Sequence, residues 1–292
     1  KMTSTEMPIG INYNAGVSAQ LKSAVIFAGL NSYGNTTIIE KSKSRDHTEN
    51  LLSQNIQSIK IKKKGKKTIK IIGKKYLHST SIDVPGDPSS AAFFTALALI
   101  NENSFLKIKN VGLNPTRIGF YILLKNLGAK IKFENLRTIN NEPRGDIVVK
   151  SSKVRSIKAS KSYYVSSTDE YPILFVIAGL IKGTSIFKGI RDLANKESNR
   201  IKEMQKILKQ VGIKSISTKD QLKIFGKGMI DASKKNIFVP NLGDHRICMS
   251  AVILSLLTGA NTKIRNFETV NTSSPSFLRI IKILGAKFET QK

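Results

Sequence analysis

The chain has 292 residues, 40% of them hydrophobic, which is material for two cores and excludes a disordered sequence. Lys and Arg number 48 against 20 Asp and Glu, a formal charge of +28 that calls for anionic partners without naming their class. A single cysteine, Cys248, excludes an internal disulfide and fits a reducing compartment. Three scattered histidines offer no zinc spacing, and no apolar run spans a bilayer, so the expectation is a soluble, cytoplasmic protein without a metal.

Taken in chain order, four segments repeat one pattern: an apolar helix, a Gly or Asn turn, then a short β-branched strand. They are Leu21 to Ile39, Ala91 to Ile108, Tyr171 to Phe187 and Ile247 to Ile264. A second amphipathic helix follows each: His47 to Asn55, Tyr121 to Gly128, Ile201 to Gly212 and Phe277 to Gly285. These ends fall 73, 84 and 73 residues apart. Strands are expected next, as at Ala129 to Phe133 and Ala286 to Glu289. The reading is an α/β fold of four βαβαββ-like units, with the best domain boundary at Pro85-Gly86.

Each first helix opens on a polar cluster: Ser18-Ala19-Gln20, Asp87-Pro88-Ser89-Ser90, Thr168-Asp169-Glu170 and Gly243-Asp244-His245-Arg246. Capping accounts for such residues, and for Asp87 to Ser90 it is the favoured reading. Helix starts repeated in register also bring positive dipole ends together, which predicts an anion-binding centre. Between Lys60 and Lys75 apolar and basic residues alternate on both sides of Gly65, which reads as a β-hairpin with a solvated lysine face. A basic nucleic-acid-binding repeat protein is the alternative there, but no aromatic residues interleave and the chain holds 38 Lys against only 10 Arg.

Lys196-Glu197-Ser198-Asn199-Arg200-Ile201 is read as the start of a second helix, with Lys196 and Arg200 on one face; spacing alone allows a surface ion-pair stripe. Together with Asp244-His245-Arg246-Ile247-Cys248-Met249-Ser250 and Asn114-Pro115-Thr116-Arg117, this run resembles the EPSP synthases. So do Ser18-Ala19-Gln20-Leu21-Lys22-Ser23-Ala24, Arg45-Asp46-His47-Thr48-Glu49, Val84 to Ser90 and Asp169-Glu170-Tyr171-Pro172-Ile173. The motifs occur in family order over essentially the whole chain. The Ser-Ala-Gln-x-Lys, Arg-x-His-x-Glu and Asn-x-Thr-Arg patterns resemble the class II branch, whose members are often glyphosate-tolerant.

The resemblance implies two domains, each an inside-out α/β assembly of three βαβαββ units. Residues 1–85 would be the C-terminal part of the N-terminal domain, which is then incomplete, and residues 86–292 the C-terminal domain. Essential groups would lie upstream of Lys1, so this chain alone is expected to be inactive and the apolar face of Leu21 to Leu30 short of neighbours. The implied reaction moves an enolpyruvyl group from phosphoenolpyruvate to the 5-hydroxyl of 3-phosphoshikimate, in a protein expected to be monomeric when full length and to use no cofactor.

By resemblance, Asp169 serves the hydroxyl proton and Glu197 the methylene carbon, with Lys196 as partner in that shuttle; either acid could instead be a cap or an ion-pair member. Ser18, Ala19, Gln20, Arg45, Asp169 and Lys196 are expected on 3-phosphoshikimate, and Gln20, Arg200 and Arg246 on phosphoenolpyruvate. Arg117 is as easily a structural loop residue, and His245 and Cys248 are read as structural. Asn199 and Ser274 depart from the family's usual Asp and Phe, and loss of that acid is expected to bear on how Lys196 and Arg200 are oriented. The sister enolpyruvyl transferase acting on UDP-N-acetylglucosamine is the nearest alternative.

Overall fold

The computed structural model describes residues 5–55, 57–62, 67–79 and 81–290, which form two compact units. The first comprises Lys1–Pro85, Gly112–Arg117 and Leu136–Arg144; the second comprises Gly86–Val111, Ile118–Asn135 and Gly145–Lys292.

The first unit runs β1 (Asn12–Ala15), α1 (Ala19–Asn31), β2 (Asn35–Glu40), α2 (His47–Leu52), β3 (Ile59–Lys62) and β4 (Lys67–Ile72). Its sheet has the order β1-β2-β4-β3, with β1 parallel to β2 and the other two pairs antiparallel. Alternation explains the faces: Ile59, Ile69 and Ile71 are buried while Lys60 and Lys70, paired in register, are exposed. The expected hairpin therefore holds in its strands, and its Gly65 turn lies outside the described residues. In α1 the buried positions Lys22, Ile26, Gly29 and Leu30 follow the helical period and face the sheet, leaving Leu21 and Phe27 exposed.

Continuing along the chain are α3 (Pro88–Ile100), β5 (Phe105–Gly112), α4 (Gly119–Asn126), β6 (Lys130–Ile139) and β7 (Glu142–Lys150). Next come β8 (Lys158–Ala159), α5 (Tyr164–Ser167), α6 (Tyr171–Leu180), β9 (Lys182–Lys188), α7 (Arg200–Gln210), β10 (Lys214–Ser217) and β11 (Gln221–Lys227). The last are β12 (Asn236–Val239), α8 (His245–Thr258), β13 (Asn261–Ile264) and α9 (Phe277–Ile283). The sheet orders β5-β7-β6 and β8-β9-β11-β10 reproduce the first sheet's connectivity, and β12 pairs parallel to β13 as β1 does to β2. Each copy of the repeat is thus one supersecondary unit with the same crossover.

Within the second unit α3, α6 and α8 pack on one another, and α6 also meets α7, β9 and β11. A helix surrounded on all sides has no polar face to offer, which is why every residue from Tyr171 to Leu180 is buried. Fully burying one such large apolar side chain contributes about 1.5 to 3 kcal/mol. In the second unit α3, α6 and α8 thus form the inner layer.

Two glycines show the repeat at atomic detail. A Cβ on Gly73 would strike the carbonyl oxygens of Ser32 and Gly29, at the end of α1. On Gly226 it would strike those of Ile181 and Ala178, at the end of α6. In both copies the last strand crosses the first helix's C-terminus at backbone contact, where only glycine fits. The expected strand at Ala286 to Glu289 does not form: these residues are unpaired, with Lys287, Phe288 and Glu289 exposed. The Ala286 N–H is instead satisfied by the end of α9, donating to Ile281 O at 3.1 Å.

Candidate active site

Three of the four polar helix starts are true caps. Ser18 Oγ accepts from Leu21 N at 3.3 Å, and Asp87 accepts from Ser89 N and Ser90 N at 3.2 and 3.1 Å, with Pro88 in the first turn. Asp244 Oδ1 accepts from Arg246 N at 3.1 Å. The exception is α6, whose N-cap Glu170 makes no side-chain capping bond, while the preceding Asp169 faces two arginines.

Those partners define a charged cluster in the second unit. Arg246 Nη2 lies 3.4 Å from Asp169 Oδ2, and Arg200 Nη1 lies 3.9 Å from Asp169 Oδ1. Arg200 also donates to Glu197 Oε2 at 2.5 Å and, through Nε, to Asp244 Oδ2 at 2.9 Å. Its side chain is only 1% exposed, and Nη1 is a buried donor without a hydrogen-bond partner. A buried guanidinium with an unused N–H is suited to an anionic oxygen. Asp169, Glu197, Arg200 and Arg246 therefore come together.

Asp244, which sequence reasoning treated as a cap, also anchors this cluster. Burial alone would raise its carboxyl. The Arg200 charge outweighs that, with hydrogen bonds from Arg200, Ser198 Oγ and Arg246 N, and holds it below the usual range. Burial and the Arg246 charge push the neighbouring His245 imidazole down, so it is neutral at neutral pH. The Cys248 thiol is buried and, by burial first and Asp244 second, pushed up to about 12, which leaves no reactive thiolate.

Lys196 departs from its expected place. Asn199 Oδ1 accepts from Lys202 N at 3.1 Å and caps α7, so the helix begins at Arg200 and Lys196 precedes it. Its Nζ instead pairs with Asp192 at 3.1 Å, and Asp192 also accepts from Tyr164 Oη at 2.8 Å. Burial would raise the Asp192 carboxyl, but Tyr164 and Lys196 together hold it low. The cap explains why Asn serves where an Asp is usual: both offer the acceptor oxygen, and Arg200 already has its carboxylates. Ser274 is buried in the turn before α9, its carbonyl accepting from Phe277 N at 2.9 Å.

In the first unit Ser18, Ala19 and Gln20 open α1, and Arg45 lies, half-buried, two residues before α2. The two helices are joined by Ser23 Oγ to Thr48 Oγ1 at 2.6 Å and by Lys22 Nζ to Glu49 Oε1 at 2.7 Å. Asn114 closes its own loop by accepting from Thr116 N at 2.8 Å and donates to Asp46 Oδ1 at 3.0 Å. It also donates to Glu142, which accepts from Asn50 and lies 2.9 Å from His47 Nδ1. Glu142 carried no motif that could have flagged it. Among the described residues no group of three His, Cys, Asp or Glu could hold a metal, and no helix is long and apolar enough to cross a membrane.

The family model for EPSP synthase (3-phosphoshikimate 1-carboxyvinyltransferase) matches residues 8–281. The 3-phosphoshikimate 1-carboxyvinyltransferase of Paramagnetospirillum magneticum is 37% identical over 98% of this chain and 64% of its own length. That of Petrotoga mobilis is 42% identical over 91% of this chain and 60% of its own. The chain thus spans less than two thirds of these relatives. Among solved structures, EPSP synthase from Acinetobacter baumannii superposes with a TM-score of 0.85 at 35% identity, covering 98% of this chain and 65% of that one. The enolpyruvyl transferase NikO from Streptomyces tendae shares the fold, with a TM-score of 0.74 at 13% identity, over 97% of this chain and 66% of that one. The chain belongs to the EPSP synthase family.

Proposed function

We propose that the whole protein transfers the enolpyruvyl group of phosphoenolpyruvate to the 5-hydroxyl of 3-phosphoshikimate, releasing phosphate, as a monomer in the cytoplasm. Residues 1–85 and 86–292 contribute to its N-terminal and C-terminal domains respectively. The observation that carries the reading is the Arg200–Arg246 pair flanking Asp169, with Arg200 Nη1 buried and unused, in a chain of this family.

Phosphoenolpyruvate carries a phosphate and a carboxylate, which planar guanidinium forks suit. Asp169 and Glu197 pair with these arginines, so the acids and the anion-gripping forks share one cluster. A bound substrate anion at the guanidinium forks lies beside both carboxylates. Asp169 accepts the 5-hydroxyl proton as the oxygen bonds to C2 of phosphoenolpyruvate, and Glu197, having taken up a proton from solvent, passes it to the methylene carbon. The tetrahedral adduct collapses as Glu197 recovers that proton and the C–O bond to phosphate breaks, and the departing phosphate carries away the proton Asp169 took from the hydroxyl. Lys196, held by Asp192, is the partner in the shuttle, and Ser18, Ala19, Gln20 and Arg45 contact 3-phosphoshikimate, with Gln20 reaching both substrates.

The alternatives are not favoured. The relatives from Paramagnetospirillum magneticum and Petrotoga mobilis are named 3-phosphoshikimate 1-carboxyvinyltransferases, and the basic hairpin turns Lys67 inward to Glu40 and Glu49 at 3.1 and 2.9 Å rather than outward. The test is phosphate release by the full-length gene product. It should depend on both substrates and match 5-enolpyruvylshikimate 3-phosphate one for one. Release driven by UDP-N-acetylglucosamine instead would overturn the reading.

A further inference from the structure

Four charged side chains meet in the first unit where an apolar core would serve for packing. Lys22 Nζ lies 2.9 Å from Glu40 Oε1 and 2.7 Å from Glu49 Oε1, and Lys67 Nζ lies 3.1 Å from Glu40 Oε2 and 2.9 Å from Glu49 Oε1. Lys22 is fully buried, and the side chains of Glu40 and Glu49 are 2% and 1% exposed. The quartet is neutral and joins α1, β2, α2 and β4. Buried ion pairs are a poor source of stability compared with apolar packing, but they fix geometry.

What this quartet fixes is the segment that carries Arg45. Glu40 Oε1 accepts from Ser44 N at 3.0 Å and from Ser44 Oγ at 2.6 Å, anchoring the residue before Arg45. Asp46, on its other side, is held by Asn114 at 3.0 Å. Lys22, Glu49 and Asn114 belong to three separate sequence motifs: Asn114 bonds Asp46 directly, while Lys22 and Glu49 bear on Ser44 through the quartet that holds Glu40. We propose that Glu40 and Ser44 are positioning residues for Arg45, with the Lys22–Glu40–Glu49–Lys67 quartet as the rigid base. They set the affinity for the phosphorylated acceptor without touching it. This rests on the reading of Arg45 as a contact to 3-phosphoshikimate.

Ser44→Ala is the informative variant, because Glu40 keeps both lysines and the Ser44 N–H, so no buried charge loses its partner. In the full-length gene product it should raise KM for 3-phosphoshikimate about three- to tenfold, the effect of one hydrogen bond. KM for phosphoenolpyruvate and kcat should stay within about twofold. Arg45→Ala should raise the same KM further, and adding Ser44→Ala to it should change nothing more. An unchanged KM in Ser44→Ala, an equal rise for both substrates, or the same rise in the Arg45→Ala background would each overturn the positioning role while leaving Arg45 as a contact. No effect of Arg45→Ala on that KM would overturn the contact itself and the inference with it.

Discussion

The carboxylate of Asp244 joins Arg200 across 2.9 Å from Oδ2 to Nε, while its other oxygen accepts the backbone N–H of Arg246. One buried acid therefore sets both arginines of the cluster, one by an ion pair and the other by capping the helix that carries it. Asp244→Asn keeps the cap and a hydrogen bond but removes the charge opposite a buried guanidinium. Unfolding free energy in urea should fall by about 2 to 4 kcal/mol, the cost of leaving a buried charge undercompensated.

Asp169→Asn and Glu197→Gln preserve shape and remove the proton acceptor. Each should lower kcat of the full-length gene product by about a hundredfold or more, with smaller changes in substrate binding. Steady-state kinetics separate the two roles: near-normal turnover in either variant removes that residue from the proton transfers.

Arg246→Lys retains the charge and loses the two-pronged fork. Phosphoenolpyruvate binding should weaken by about 1 to 3 kcal/mol, with 3-phosphoshikimate binding little changed. Calorimetric titration of each substrate checks this, and an equal loss for both would mark a folding defect.

Glu40 predicts the acid stability of the first unit. Burial would raise its carboxyl, but hydrogen bonds from Ser44 and Lys22 and the charges of Lys22 and Lys67 lower it from the ordinary 4.5 to about 2. A depressed carboxyl stabilises the folded state above the unfolded value and ceases to do so as pH falls through the folded one. The stabilisation should be complete above about pH 5 and lost progressively toward pH 2. Denaturation of the protein and of Glu40→Gln between pH 6 and pH 2.5 should show the two stabilities converging as the solution is acidified; parallel curves would exclude Glu40 as the titrating group.

The repeats were legible because they are local. Helical periodicity, closing glycines and β-branched strands lie within a few residues of one another, and the caps at Ser18, Asp87 and Asp244 follow from residue type and position. The resemblance brought Asp169, Glu197, Arg200 and Arg246 into one list, and the tertiary structure brought them into one cluster. The start of α7 was misread because Lys196 and Arg200 have helical spacing, yet Asn199 between them is the cap and turns Lys196 toward Asp192.

Motif order carried the family resemblance, and helix and strand periodicity the repeated α/β architecture, from the sequence alone. Only the tertiary structure decided that Lys22 and Lys67 are countercharges rather than solvated lysines, that Glu142 receives His47, Asn50 and Asn114, and that Gly73 and Gly226 sit where strand crosses helix end. The reason is physical. Periodicity reports which face of an element is apolar, whereas burial of a charge or close approach of two backbones depends on groups 18 to 95 positions away, which meet only when the chain has folded.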